Sequence, residues 1–176
     1  MNNKPKCIIV TGRPGSGKTT LAKKLSAQLY MPLISRDALK EGYVNTFGVE
    51  HDALPSDTNR LVSDLFFEIV NQHLAGNISI VIEAAFQHHV WQLHMAQIQN
   101  LSEPFIIICT VNASTATQRR QQRLLDDPGR AFYHGDKHNP SLARYAPPEL
   151  EIPTLTVSTE GGYTPSFKSI VSRIQP

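Results

Sequence analysis

Eight residues, Gly12-Arg13-Pro14-Gly15-Ser16-Gly17-Lys18-Thr19, carry the spacing G-x-x-x-x-G-K-[ST], which suits the binding of several linked phosphates. Glycines there let consecutive backbone N–H groups converge on one anion, and a helix opening near Gly17 adds the positive end of its dipole. Lys18 would reach the β- and γ-phosphates of a nucleoside triphosphate. Thr19, followed by Thr20, offers a hydroxyl to Mg²⁺, an ion that takes oxygen ligands and keeps several waters while bridging phosphates.

Transfer of a phosphoryl group to a hydroxyl needs an acceptor aligned with the γ-phosphate and a group that takes its proton. Asp37 is the candidate base, although an aspartate there could equally open the helix that starts near Ala38. Its neighbour Arg36 is a candidate acceptor ligand. Glu83 ends a run of Ile78, Ile80, Val81 and Ile82, where a carboxylate is costly unless paired or solvated. It could hold Mg²⁺ through water, bind an acceptor hydroxyl, or be satisfied by neighbouring N–H groups.

From Asn112 through Leu125 there is no acidic residue, yet Arg119, Arg120 and Arg123 fall together. Arg119 and Arg123 share a helical face at i, i+4, as do Arg120 and Arg123 at i, i+3, so two guanidiniums could grip one polyphosphate. Arg123 could instead meet Asp126 or Asp127, or the three could form a solvated basic face. Arg130 and Arg144 are weaker candidates for a closing lid. His88, His89, His94, His134 and His138 invite a metal reading, most of all where His134 and His138 flank Asp136. No third and fourth ligand accompanies that pair, and Lys137 would repel a cation.

The elements that must position these residues follow from periodicity. Cys7-Ile8-Ile9-Val10 is too short and β-branched for a free helix and reads as a buried strand, and Leu21, Leu25 and Leu29 then recur at helical spacing. Further apolar runs at Leu33-Ile34, Ile78–Ile82, Phe105–Val111 and Leu155–Val157 make five strands, with helices expected over Thr58–Ala75, Val90–Leu101, Ser114–Leu125 and Pro165–Ile174. Leu61, Leu65, Phe66 and Ile69 are expected on the inner face of the first, which Gly76-Asn77 stops. Trp91, Met95 and Ile98 read as core. Asp126–Pro148 reads as a long irregular excursion. Strands alternating with helices predict a parallel sheet, in which ligands bind beyond the carboxyl ends of the strands. That places the phosphate loop, Ser35-Arg36-Asp37, Glu83, Asn112 and Ser158–Tyr163 around one crevice.

On these residues the chain resembles the small ATP-binding phosphate-loop kinases, a group that includes zeta toxins, chloramphenicol phosphotransferase, gluconate and shikimate kinases and the kinase domain of phage polynucleotide kinase. The likeness rests on Gly12–Thr20, Ser35-Arg36-Asp37, Ile82-Glu83-Ala84-Ala85-Phe86, the Arg119-x-x-x-Arg123 spacing and the closing Thr156–Pro165. It implies a three-layer α/β/α phosphate-loop NTPase with a five-stranded parallel sheet of order 2-3-1-4-5 and a lid over roughly 119–148. It also implies Asp37 as catalytic base, Arg119 and Arg123 as lid residues on ATP, and the loop carrying Gly161, Gly162 and Tyr163 near adenine. Ser158 stands where these closing segments often carry an aspartate. The acceptors of the group are diverse, so none carries over.

With 176 residues and 40% apolar content, the chain suits a single domain spanning 1–176. A net charge of +2 does not suggest a broad basic surface for nucleic acid. Cys7 and Cys109 lie in apolar runs and imply no disulfide framework. Met1–Lys6 is polar and no run approaches a membrane span, so a cytoplasmic location is expected. The expected ligands are ATP, Mg²⁺ and a small hydroxyl-bearing acceptor. A nucleic-acid 5′-end kinase would need a basic, aromatic groove, for which Lys40, Tyr43, Phe47 and Arg60 are the main material. A regulatory module that holds or slowly hydrolyses ATP would not need a base at Asp37.

Overall fold

The structure, a computed structural model, describes residues 4–127, 129, 132, 133 and 145–175. Strand β1 (Lys6–Gly12) leads through the glycine-rich loop into α1 (Lys18–Leu29), and β2 (Leu33–Ser35) runs straight into α2 (Arg36–Phe47). After a 3-10 turn (His51–Ala53) come α3 (Thr58–Ala75), β3 (Ile80–Glu83), α4 (His88–Leu101), β4 (Glu103–Thr110) and α5 (Ala113–Asp126). Strand β5 (Thr154–Ser158) and helix α6 (Phe167–Ile174) close the fold. All five strands are parallel and lie in the order β2-β3-β1-β4-β5, the order expected.

A parallel sheet is covered on both faces, so its central strands must be apolar on both sides. In β1, Cys7 and Ile9 enter one core with α3 and α4, whereas Ile8 and Val10 enter the other with α1 and α6. Burying each such side chain stabilises by about 1.5–3 kcal/mol. The core roles expected for Trp91, Met95 and Ile98 hold, and both cysteines are buried and free. Burial pushes each thiol up to about 12, so neither titrates near neutrality.

The inner face of α3 is offset from the expected one. Val62, Phe66, Val70 and Leu74, an i, i+4 series, are buried with Phe67, whereas Leu61 and Leu65 are 41% and 40% exposed. The longer stripe covers β3 and α4 along the whole helix, and Leu61 and Leu65 lie about 100° around from it. Strand β3 also begins two residues later than expected, and Ile78 is left 44% exposed.

Candidate active site

Register brings the chemistry-bearing residues to one edge. Ser35 is the partner of Glu83 across β2 and β3, Val10 of Glu83 across β1 and β3, and Gly12 of Cys109 across β1 and β4. The loop after β1 is packed closely from behind. A Cβ at Gly15, whose φ is +84, would stand 2.5 Å from the Ala116 carbonyl oxygen, so α5 presses directly on the loop. At Gly12 a Cβ would meet the Cys109 carbonyl at 2.5 Å and Ser16 Oγ at 2.6 Å. Ser16 Oγ is buried with no hydrogen-bond partner. A buried polar atom is ordinarily satisfied, and the oxygen of a bound anion would fill that role.

Lys18 and Glu83 meet in this cradle. Lys18 Nζ stands 3.5 Å from Glu83 Oε1, with both side chains nearly inaccessible. Ser35 Oγ donates to Glu83 Oε2 at 2.7 Å. Burial of the carboxylate on an otherwise apolar strand is therefore offset by one cation and one hydroxyl. Ser35 was not singled out from the sequence as a ligand of anything. Its signal was available only through pairing of β2 with β3.

Arg36 and Asp37 occupy the first turn of α2, where a carboxylate favours the helix dipole. The Arg36 guanidinium donates to Asn59 Oδ1 at 2.9 Å and to its carbonyl at 3.2 Å, and lies 3.7 Å from Asp37 Oδ1. Burial lowers the Arg36 pKa, and the Asp37 carboxylate opposes that shift. Arg36 thus ties α2 to the start of α3. Asp37 lines two cavities. One, of about 400 Å³, is shared with Thr19, Thr20, Ser35 and Arg123. The other, of about 500 Å³, is shared with Arg36, Asn59 and Phe86.

A third cavity, of about 440 Å³, opens over Gly17 and Thr20 and is lined by Lys24, Arg119, Arg123, Gly162 and Tyr163. Lys24 Nζ lies 5.2 Å from the Tyr163 ring centroid. Both expected arginines reach this cavity, but Arg119 also works within the protein. It donates to Thr159 Oγ1 at 3.0 Å and to the Thr159 carbonyl at 2.7 Å. Thr159 Oγ1 donates in turn to the Ser16 carbonyl at 2.8 Å. Glu160, beside it, accepts from the Asn112 backbone and side chain and from Thr115 Oγ1. These bonds depress the Glu160 pKa, the Asn112 N–H contributing most. Thr159 and Glu160 therefore join the β5–α6 loop to α5 and to the phosphate loop. Arg120 does not line the cavity.

Sequence reasoning missed Tyr145. Its hydroxyl is 2.9 Å from Thr11 Oγ1, whose own proton goes to the Ala84 carbonyl at 2.8 Å. By proton count Tyr145 donates to Thr11. Burial pushes the phenol up to about 12, a shift opposed by its hydrogen bonds to Thr11 and to the Gly12 backbone. The next residue is held as well: Ala146 N–H donates to Gln87 Oε1 at 2.7 Å and its carbonyl accepts from the His88 N–H at 2.9 Å. Tyr145 and Ala146 thus lie against the phosphate-loop strand and the start of α4.

The oxygen donors present fit Mg²⁺. Thr19 and Ser35 share a cavity, and Glu83 Oε1 is buried beside it without a hydrogen bond. Among the described residues no three or more His, Cys, Asp or Glu side chains form a metal-binding group, so protein ligands for such an ion would be few, as is usual where phosphates supply the rest. Arg130, Arg144 and the His134–His138 pair lie outside the described residues. Of those described, no helix is long and apolar enough to cross a membrane.

Solved structures extend the comparison. A candidate kinase of Chloroflexus aurantiacus J-10-fl is 26% identical, with a TM-score of 0.81 over 98% of each chain. A gluconokinase of Sinorhizobium meliloti 1021 shares the fold at 17% identity and a TM-score of 0.57, over 98% of this chain and 90% of that one. An APS kinase of Mycobacterium tuberculosis, solved with AMPPNP and APS, does so at 18% identity and a TM-score of 0.61, over 88% and 89%. No curated protein matches the chain. Residues 7–148 match the AAA domain profile, and the chain, with its kinase-like phosphate-loop fold, belongs to that family.

Proposed function

We propose that this protein is an ATP-dependent phosphotransferase that moves the γ-phosphoryl group to a hydroxyl of a small molecule. The observation that carries the reading is the position of Asp37, which borders the cavity containing Thr19 and Thr20 and the separate one behind Arg36. A base belongs at the boundary between donor and acceptor. Lys18, the backbone N–H groups of the loop from Gly12 to Thr20 other than Pro14, and Arg119 with Arg123 would hold the phosphates, and Gly162 and Tyr163 would flank adenine. Mg²⁺, held by Thr19 and through water by Glu83, would neutralise charge between the phosphates. Asp37 would accept the proton as the acceptor oxygen forms its bond to phosphorus and the bond to ADP breaks.

The likeness to a candidate kinase along the whole chain, and to a kinase solved with a nucleotide analogue, supports this reading. Asp37→Asn tests it. ATP affinity should stay within about twofold of the parent while transfer falls about 10²–10⁴-fold, the usual worth of a positioned base. Equal loss of both would make Asp37 a helix-opening residue instead. Lys18→Ala should abolish nucleotide binding or transfer, and unchanged phosphotransfer would overturn the assignment as a whole.

A further inference from the structure

The cavity over Gly17 and the cavity behind Arg36 differ in charge. In the first, which Asp37 does not border, Lys24, Arg119 and Arg123 stand with Asp126 as their one carboxylate among the described lining residues, an excess of cations suited to a polyphosphate. The cavity that Asp37 shares with Thr19 lies between the two and is balanced, with Lys23 and Arg123 against Asp37 and Glu41. On the acceptor side two guanidiniums, Arg36 and Arg60, face two carboxylates, Asp37 and Asp64. Arg36 is held through its two terminal nitrogens by Asn59 and Asp37, with its Nε buried and without a hydrogen-bond partner, and Arg60 is held by Asp57 at 3.5 Å and Asp64 at 3.1 Å. The opposite wall of that cavity is apolar, formed by Ala85, Phe86, Val90 and Leu93. Phe86 is fixed there by Phe66, Phe67 and Trp91, with ring centroids 5.3–5.6 Å away. His94 stacks on Phe67 at 3.6 Å, and burial lowers its pKa, which favours the neutral ring.

We infer that the acceptor is an uncharged, amphipathic alcohol: a hydroxyl beside Asp37 joined to an apolar or aromatic body lying on Phe86, Val90 and Leu93. The inference rests on the kinase reading above. A volume of about 500 Å³ lies in the range of small-molecule sites, which are largely apolar with a few convergent polar groups. A sugar acid or a 5′-hydroxyl oligonucleotide would bring negative charge to a chamber whose described cations already have carboxylate partners, and would leave the apolar wall facing polar groups.

The full chain with γ-labelled ATP and Mg²⁺ tests this against three acceptor sets: uncharged aryl and alkyl alcohols, gluconate, and a 5′-hydroxyl oligonucleotide. Transfer should be at least about tenfold more efficient to the best uncharged alcohol than to either anionic acceptor. Val90→Asp and Leu93→Asp should each lower kcat/KM for that alcohol by about tenfold or more, the worth of an apolar contact in a specificity pocket, while leaving ATP affinity unchanged. Transfer that favours gluconate or the oligonucleotide would overturn the acceptor class and leave the kinase reading standing. So would transfer to none of the uncharged alcohols by a chain that binds ATP. Failure of the parent chain to bind ATP at all would remove the kinase reading and this inference with it.

Discussion

Lys18 Nζ stands 3.5 Å from Glu83 Oε1, with the two side chains 8% and 1% exposed, so the phosphate loop's cation is held by the end of the neighbouring strand. A triphosphate entering the loop must share Lys18 with Glu83 or draw it away. Removing one partner of a buried pair leaves the other uncompensated, at a cost of about 3–5 kcal/mol. Lys18→Met is therefore expected to lower the melting temperature clearly, and Lys18→Met/Glu83→Gln to recover much of the loss without recovering ATP binding. Thermal melts and titration calorimetry on both variants check this. A double variant no more stable than Lys18→Met would show that the two residues are not coupled.

Arg119 and Arg123 line one cavity, yet the bonds of Arg119 to Thr159 give it a second task. Hydrogen bonds from a charged donor are worth about 1.5–3 kcal/mol. Arg119→Ala should lower stability as well as nucleotide affinity, because it loosens the β5–α6 loop. Arg123→Ala should slow transfer on the order of 10²-fold, as loss of one donor to transition-state charge does. Melts and single-turnover transfer on both variants check this. An Arg119→Ala variant as stable as the parent would deny Arg119 its hold on the loop.

Tyr145→Phe keeps the ring and removes the hydroxyl from Thr11 and Gly12. About 1 kcal/mol of stability should go, the usual net worth of a hydrogen bond, along with a few-fold loss in ATP affinity. The folded phenol titrates at about 12 against an ordinary 10, so the folded state holds its proton longer than the unfolded one. Its contribution is complete below the ordinary value and is lost as pH rises towards the folded value. Urea melts of both proteins as pH is raised through that window should converge. A constant gap would deny the hydroxyl this role.

The central strand, loop and first helix were legible because local spacing alone specifies them: Cys7–Val10, the glycines, then Leu21, Leu25 and Leu29. That the sheet is parallel followed from alternation, and its strand order from the resemblance. Ser35 and Thr159 were placed at the crevice by their strand ends, but their bonds were not legible, and Tyr145 was not legible at all, because each acts through a partner far along the chain: Ser35 on Glu83, 48 residues away, Thr159 on Ser16, 143 away, and Tyr145 on Thr11, 134 away. Nothing in their own neighbourhoods names those partners. The face of α3 was misjudged for a related reason. Leu61 and Leu65 have the right spacing and type, but the sheet and α4 select the stripe one residue further round.

Glu160 offers a test of the same long-range joint from its acidic side. Its carboxylate accepts from Asn112 N at 2.9 Å, and from Asn112 Nδ2 and Thr115 Oγ1 at 2.5 Å each. These donors favour the ionised form and hold the pKa below its ordinary 4.5. A depressed folded pKa means that the unfolded chain takes up the proton first as pH falls. The contribution is then complete above the ordinary value and disappears as pH drops through the folded one. Glu160→Gln should melt below the parent at neutral pH, with the gap closing on the acid side. Because Gly162 and Tyr163 of the same loop line the cavity that contains Arg119, the variant should also bind ATP more weakly at neutral pH. Melts from about pH 3 to about pH 8 span the window. A gap that does not change with pH would mean that the loop is held by shape and not by this carboxylate.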